Sequence, residues 1–107
     1  MNSLTSEMPN AQAFSVRLTV EEIAVDLQDG RTIIAPLGWY PRLVHANQKE
    51  RNNWQLIGKG VGIHWPDLDE DIGIRNLLLG QASGESQTSL QKWLAARNSG
   101  KKKKPGT

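Results

Sequence analysis

The chain has 107 residues, 37% apolar and 22% charged, with ten glycines and no cysteine, so one domain is expected and disulfides, thiolate metal sites and a cysteine nucleophile are excluded. The net charge of +2 is unevenly placed: residues 1–100 hold nine Lys+Arg against eleven Asp+Glu, a net of −2, and Lys101, Lys102, Lys103 and Lys104 reverse the sign. An acidic body with a basic end is not the charge pattern of a dedicated nucleic-acid-binding domain.

Residues 1–12 are polar and aperiodic and are expected to form a flexible leader. They lack the basic segment and apolar run of a signal peptide, and no stretch reaches the ~18 apolar residues that cross a bilayer. With no cysteine in so small a domain, a cytoplasmic location is expected, with no membrane partner.

Val16, Leu18 and Val20 alternate with polar residues, as a half-buried strand does, and Ile23, Val25 and Leu27 repeat the pattern. Asp29-Gly30 predicts a hairpin closed by a primed turn, since glycine takes positive φ at little cost. Residues 31–37 read as a third strand, and Pro36, which cannot donate to a ladder, marks its end or an edge. The prediction for residues 14–37 is a three-stranded antiparallel meander.

Residues 39–46 predict a short helix with Pro41 in its first turn. Asn47 opens a second short helical piece. Gln55–Ile57 and residues 61–64 read as two short extended segments around a tight glycine turn at residues 58–60. Asp67, Asp69, Glu70 and Asp71 stand ahead of Ile72, Ile74, Leu77, Leu78 and Leu79. Acids before an apolar helical stretch predict a helix N-terminus, with Gly80 as the stop. After a linker at 81–85, Ser86 predicts the cap of a last helix running to about Arg97, with Leu90, Trp93 and Leu94 on one face. Residues 100–107 are expected to be a disordered basic tail. The fold class is thus α+β: a small three-stranded antiparallel meander plus two short extended segments, with short helices and a C-terminal helix. Residues 13–80 form the core domain and 81–99 the linker and amphipathic helix.

His64 and the acids at 67–71 have neither zinc spacing nor the alternating acids and central glycine of a calcium loop, so no metal is predicted. The run GKGVG at residues 58–62 lacks the spacing of a dinucleotide fingerprint, and no cofactor is predicted. His45 and His64 stand near no nucleophile motif, so catalysis is not expected. The partner-binding set is Trp39, Tyr40, Arg42, Arg51, His64, Trp65, Asp67, Asp69, Glu70 and Asp71. Trp, Tyr and Arg bury large areas at low entropic cost and dominate binding hot spots. The competing reading makes the aromatics core and pairs the arginines with the acids at 67–71. Lys101, Lys102, Lys103 and Lys104 form a weaker nucleic-acid candidate, through contacts to phosphates.

The run Asp29-Gly30-Arg31, Pro36-Leu37, Trp39-Tyr40-Pro41-Arg42-Leu43, Glu50-Arg51, Asn53-Trp54, Leu56-Ile57-Gly58, Gly62-Ile63-His64-Trp65-Pro66, Leu68-Asp69-Glu70-Asp71-Ile72, Leu77-Leu78 and Gly80 resembles a bacterial family, domain of unknown function 2442. The likeness covers about residues 16–80. It departs at Gly73-Ile74, where members tend to have a small polar residue and Val. The resemblance implies a compact α+β fold with no established enzymatic activity. It also implies a gene neighbour, domain of unknown function 4160, in what look like toxin–antitoxin pairs. Some members append a helix-turn-helix; one C-terminal helix here is too little for that motif.

The expectation is a non-catalytic protein-binding module, the antitoxin-like member of such a pair, with a cognate toxin as partner and a homodimer compatible. A nucleic-acid-associated regulator using the lysine tail with Arg42 and Arg51 is one alternative. A small-molecule regulator with tryptophans as its pocket wall is the other.

Overall fold

A computed structural model describes residues 11–103, with side chains through residue 98. Residues 1–10 of the expected leader and 104–107 of the expected tail lie outside the described residues, whereas the last two leader residues are packed: Ala11 is buried and Gln12 O accepts Gln28 N–H.

Strands β1 (Ala13–Leu18), β2 (Glu22–Leu27) and β3 (Thr32–Pro36) form the expected antiparallel meander, in the order β1-β2-β3. Ile23, Val25 and Leu27 are buried on one face of β2. On the other face Asp26 receives Arg17 at 2.7 Å and the Thr32 hydroxyl at 2.8 Å. A bulge between Ala13 and Ser15 lets both Ala13 and Val16 face the core. Val20 leaves the alternation and is 81% exposed, because the Thr19 hydroxyl accepts the N–H groups of Glu21 and Glu22 and closes the connection there. The Asp29-Gly30 turn also differs from expectation. Only Gly30 has positive φ (98°), and its N–H donates to Leu27 O, while Leu27 N–H donates to Arg31 O. This is a longer loop with a glycine bulge, and the Asp29 carboxylate steadies it by accepting Arg31 N–H at 3.0 Å.

A second antiparallel sheet joins β4 (Gln55–Ile57), β5 (Gly62–Trp65) and β6 (Glu70–Gly73), in the order β4-β5-β6. The two expected extended segments are its first strands. The acids at 67–71 do not start a helix. They form the β5–β6 turn and the third strand, with Trp65 opposite Glu70, His64 opposite Asp71 and Ile63 opposite Ile72. Pro66 opens the turn and Leu68 N–H returns to Trp65 O. Ile72 and Ile74 fit period two as well as a helical face, and the ladder offered by β5 decides between them. Helix starts only at Ile74, with Gly73 as an N-cap that makes no side-chain bond.

The glycine turn Gly58–Gly60 ties this sheet to β1. A Cβ on Gly60 would stand 2.3 Å from Ala13 O, so only glycine permits the approach.

After a 3-10 turn at Leu37–Trp39 come α1 (Pro41–Val44), with Pro41 in its first turn, and α2 (Gln48–Asn52). Asn47 and Glu50 form a capping box on α2. Helix α3 (Ile74–Leu78) stops as expected, with Gly80 N–H donating to Leu77 O. Helix α4 (Gln87–Lys103) is capped by Ser86, whose hydroxyl accepts Ser89 N–H at 3.1 Å. It continues past the expected stop near Arg97, so the first lysines of the tail are helical. Lysine is a good helix former and its charge suits the C-terminal end of the helix dipole.

One apolar cluster unites the layers: Ile23, Val25 and Leu27 of the first sheet, Ile63, Trp65 and Ile72 of the second, and Leu37, Tyr40, Leu43, Ile74 and Leu77 between them. No helix among the described residues is long and apolar enough to cross a membrane.

Candidate functional site: an acidic turn held by Arg42

The β5–β6 turn places its acids by simple strand and turn geometry. Glu70 shares its face of β6 with buried Ile72, whereas Asp71 points to solvent beside His64, with which it bonds. Asp67 and Asp69 are exposed on the turn itself, and Asp69 takes a left-handed φ of 53°, a conformation Asp tolerates better than most residues. Asn53 donates to Asp67 at 3.0 Å. The set called acidic from sequence therefore divides: Asp67, Asp69 and Asp71 outward, Glu70 inward.

Arg42 grips the turn from below. Its Nη1 donates to Leu68 O at 2.9 Å and Asp69 O at 3.2 Å, while Nε and Nη2 clasp the Glu85 carboxylate at 2.8–3.0 Å. Ser89 donates to the same carboxylate at 2.8 Å. The Arg42 side chain is only 16% exposed and that of Glu85 8%, so this is a shielded pair with its remaining hydrogen bonds satisfied. The Arg42 hydrogen bond holds the Glu85 carboxyl below its ordinary range, and Glu85 in turn raises the guanidinium.

Helix α4 is clamped to the same point. The guanidinium groups of Arg42 and Arg97 lie 5.0 and 4.7 Å from the Trp93 ring centre. Arg97 makes a two-pronged pair with Glu50 at 3.0–3.1 Å. The sequence offered no direct sign of Glu85 or Arg97 here, since each lies more than forty positions from its partner; Trp93 was visible only as a packing residue.

The other expected site residues are structural. Tyr40 and Trp65 are buried, Trp39 is half-buried, and Trp65 Nε1–H donates to Arg51 O at 3.0 Å. Arg51 donates to the carbonyls of Leu43 and Val44, filling acceptors that the end of α1 leaves open. Arg51 pairs with none of the acids at 67–71. Arg42 meets that segment through backbone carbonyls instead of carboxylates. Of the two readings of these aromatics, the geometry fits the one that makes them core, since the rings lie in or against the apolar cluster, but not its pairing of the arginines with the carboxylates at 67–71. The side chains of Lys101, Lys102, Lys103 and Lys104 lie outside the described residues. No three His, Asp or Glu converge as a metal site requires, among the described residues.

Behind the turn lies a polar recess of about 180 Å³, between Tyr40, Glu70, Asn76 and the segment 81–84. That segment is no loose linker: Gln81 N–H donates to Asn76 O and Ser83 N–H to Trp39 O. Burial pushes the Glu70 carboxyl up to about 7; Arg42 opposes the shift, and Glu85, Asp71 and Asp69 reinforce it. Tyr40 is raised too, by burial and then by Glu70. Its hydroxyl is buried and has no hydrogen-bond partner among the described residues.

The sequence matches the family described as "Protein of unknown function (DUF2442)" over residues 13–83, well over half of its length. The chain belongs to the DUF2442 family. The match begins with β1 and ends in the segment that closes the recess, so Glu85 and α4 lie beyond it. A protein of unknown function from Rhodospirillum rubrum, known from a 2.75 Å crystal structure, superposes with a TM-score of 0.62 at 25% identity, covering 73% of this chain and 96% of that one. An uncharacterised Chromobacterium violaceum protein solved by solution NMR has a TM-score of 0.60 at 19% identity, covering 91% and 90%. No curated protein matches the chain. This DUF2442 chain thus shares its α+β fold with proteins whose function is itself open.

Proposed function

We propose that this DUF2442 chain is a non-catalytic protein-binding module of the cytoplasm, whose recognition surface is the acidic turn between β5 and β6. One observation carries the reading. Arg42 fixes the turn through the carbonyls of Leu68 and Asp69, while Asp67, Asp69 and Asp71 keep exposed carboxylates. A surface held in place before binding loses little entropy on docking, and like charges on it select a basic partner and speed encounter. A toxin with a basic, RNA-directed site has the complementary face, which fits the antitoxin-like, regulatory role implied by the family's gene pairing.

The alternative on nucleic acid has less support. Arg42 and Arg51 are engaged inside the fold, and the outward carboxylates would repel phosphates. The test is co-expression with the product of the adjacent gene. Co-purification of the wild-type chain, and its loss with Asp69→Lys, is the expected result. Failure to co-purify, or full retention of the variant, overturns the reading.

A further inference from the structure

The edges of the two sheets are not guarded alike. An open edge displays unpaired N–H and C=O groups, and folds blunt it with charge, proline, a bulge or a covering segment. Strand β1 carries the bulge after Ala13 and meets the turn at Gly60. Strand β3 ends in Pro36, and β6 faces the segment 81–84 across the recess. Strand β4 has none of these among the described residues. Gln55, Leu56 and Ile57 are uncharged and all exposed, Leu56 by 38% and Ile57 by 42%. Ile57 packs over Gly62, and the neighbouring Val61 is exposed too.

The hydrogen-bond phase of the sheet decides what this edge presents. Ile74 N–H donates to Val61 O, so Val61 turns its peptide groups toward β6. By alternation Ile63 does the same, while Gly62 and His64 turn theirs toward β4. Their partners there are Ile57 and Gln55. Leu56 therefore points its N–H and C=O away from the sheet.

We propose that the open edge of β4 pairs antiparallel with β4 of a second copy of this chain, about a two-fold axis at Leu56. Each Leu56 N–H then donates to the partner's Leu56 C=O, and Gln55 stands opposite the partner's Ile57. The two sheets of three strands become one continuous ladder. Charge favours a second copy as the occupant. Strand β4 runs from Asn53, whose side chain holds the Asp67 carboxylate at 3.0 Å, to the turn that carries exposed Lys59. An antiparallel two-fold turns these unlike ends toward each other, so Lys59 approaches the partner's Asp67 on both sides of the axis. No charge within the strand opposes its own copy. The paired stretch is short, so the dimer is weak and depends on concentration. Asp69 and Asp71 take no part, and the pairing does not rest on the docking reading.

The test is sedimentation equilibrium of the full chain, with no other protein present, over a range of concentrations, and amide hydrogen exchange over the same range. The mass should rise from one chain to two, and the Leu56 amide should pass from unprotected to protected as it does so. The amides of Gln55 and Ile57, bonded within the sheet, should be protected throughout. Ile57→Asp should weaken association about tenfold or more, by placing a charge on the edge. Lys59→Asp should do the same at a position outside the ladder, since the reversal acts at both ends of the pairing. Aspartate tolerates the positive φ of 63° found there. Adding Asp67→Lys to Lys59→Asp should restore most of the affinity, because the opposed charges are unlike again. A single-chain mass at every concentration, a dimer whose Leu56 amide stays unprotected, or unchanged association in Lys59→Asp overturns the proposal. Among single-chain outcomes, a Leu56 amide protected at all concentrations assigns the edge to a segment of the same chain. Protection that appears only when the adjacent gene's product is added assigns it to a different protein.

Discussion

Tyr40 and Glu70 occupy one recess, and each predicts a measurable oddity. A buried hydroxyl without a partner costs about 1–3 kcal/mol, so Tyr40→Phe, which keeps the ring, should raise stability by about 1 kcal/mol in urea melts of the free chain. A loss of stability would show that the hydroxyl is satisfied. Glu70 has a folded-state value of about 7 against an ordinary 4.5. Its acid form is the one the fold favours. The contribution is therefore fully present below about pH 4.5, declines as the unfolded chain ionises more readily, and levels off above about 7. Glu70→Gln should flatten that decline, raising the melting temperature more at pH 8 than at pH 4. Glu85 is shifted the opposite way, so its stabilisation is lost only as pH falls through its lowered value. An unchanged pH profile in Glu70→Gln would contradict the buried placement of this carboxyl.

Among the elements, α4 depends most on a few contacts. Leu90 is buried, Trp93 lies beneath two guanidinium groups, and Arg97 pairs with Glu50. Trp93→Ala removes the middle of that set. It should cost about 2 kcal/mol, less than truncating a fully buried tryptophan. Hydrogen exchange should quicken across Gln87–Lys103 while β2 and β5 stay protected. Uniform loss of protection would mean that α4 and the sheets unfold as one unit. The elements also show what local pattern can reveal. Val25 and its neighbours announced β2, Pro41 the first turn of α1, Ser86 the cap of α4 and Gly80 the end of α3. Each of these signals acts within a few residues. Strand β6 was misread because acids followed by Ile72 and Ile74 satisfy two periods, and pairing with β5 settles the matter at longer range. Val20 and the Asp29 turn diverged through hydrogen bonds from Thr19 and Asp29 that periodicity does not register.

At the scale of the molecule, the segment singled out in the sequence does come together, but in an orientation that local pattern does not reveal. The cluster of Trp, Tyr, Arg and Asp within residues 39–71 does converge in space. Its aromatics turn inward, Arg51 closes the end of α1, and Arg42 holds the turn that displays Asp67, Asp69 and Asp71. What was hidden is the contribution from beyond the family match, since Glu85 and Trp93 meet Arg42 across more than forty residues of chain. Glu85→Ala should loosen the acidic turn, because Arg42 would lose its anchor. Removing the carboxylate from this partly buried pair should cost about 1–3 kcal/mol, the loss of hydrogen bonds between charged groups, read from urea melts. If the single variant is as stable as the wild type, the clamp is not what shapes the turn.

The proposed binding of a basic protein by the outward carboxylates of the β5–β6 turn is open to direct measurement. Its most direct measurement is calorimetric titration of the adjacent gene's product into the wild-type chain and into Asp69→Lys, at low and at physiological salt. Binding should weaken with salt, and the variant should lose about tenfold or more in affinity, as expected for reversing a charge within a complementary interface. Equal affinity for the two chains, or no binding to either, would contradict it.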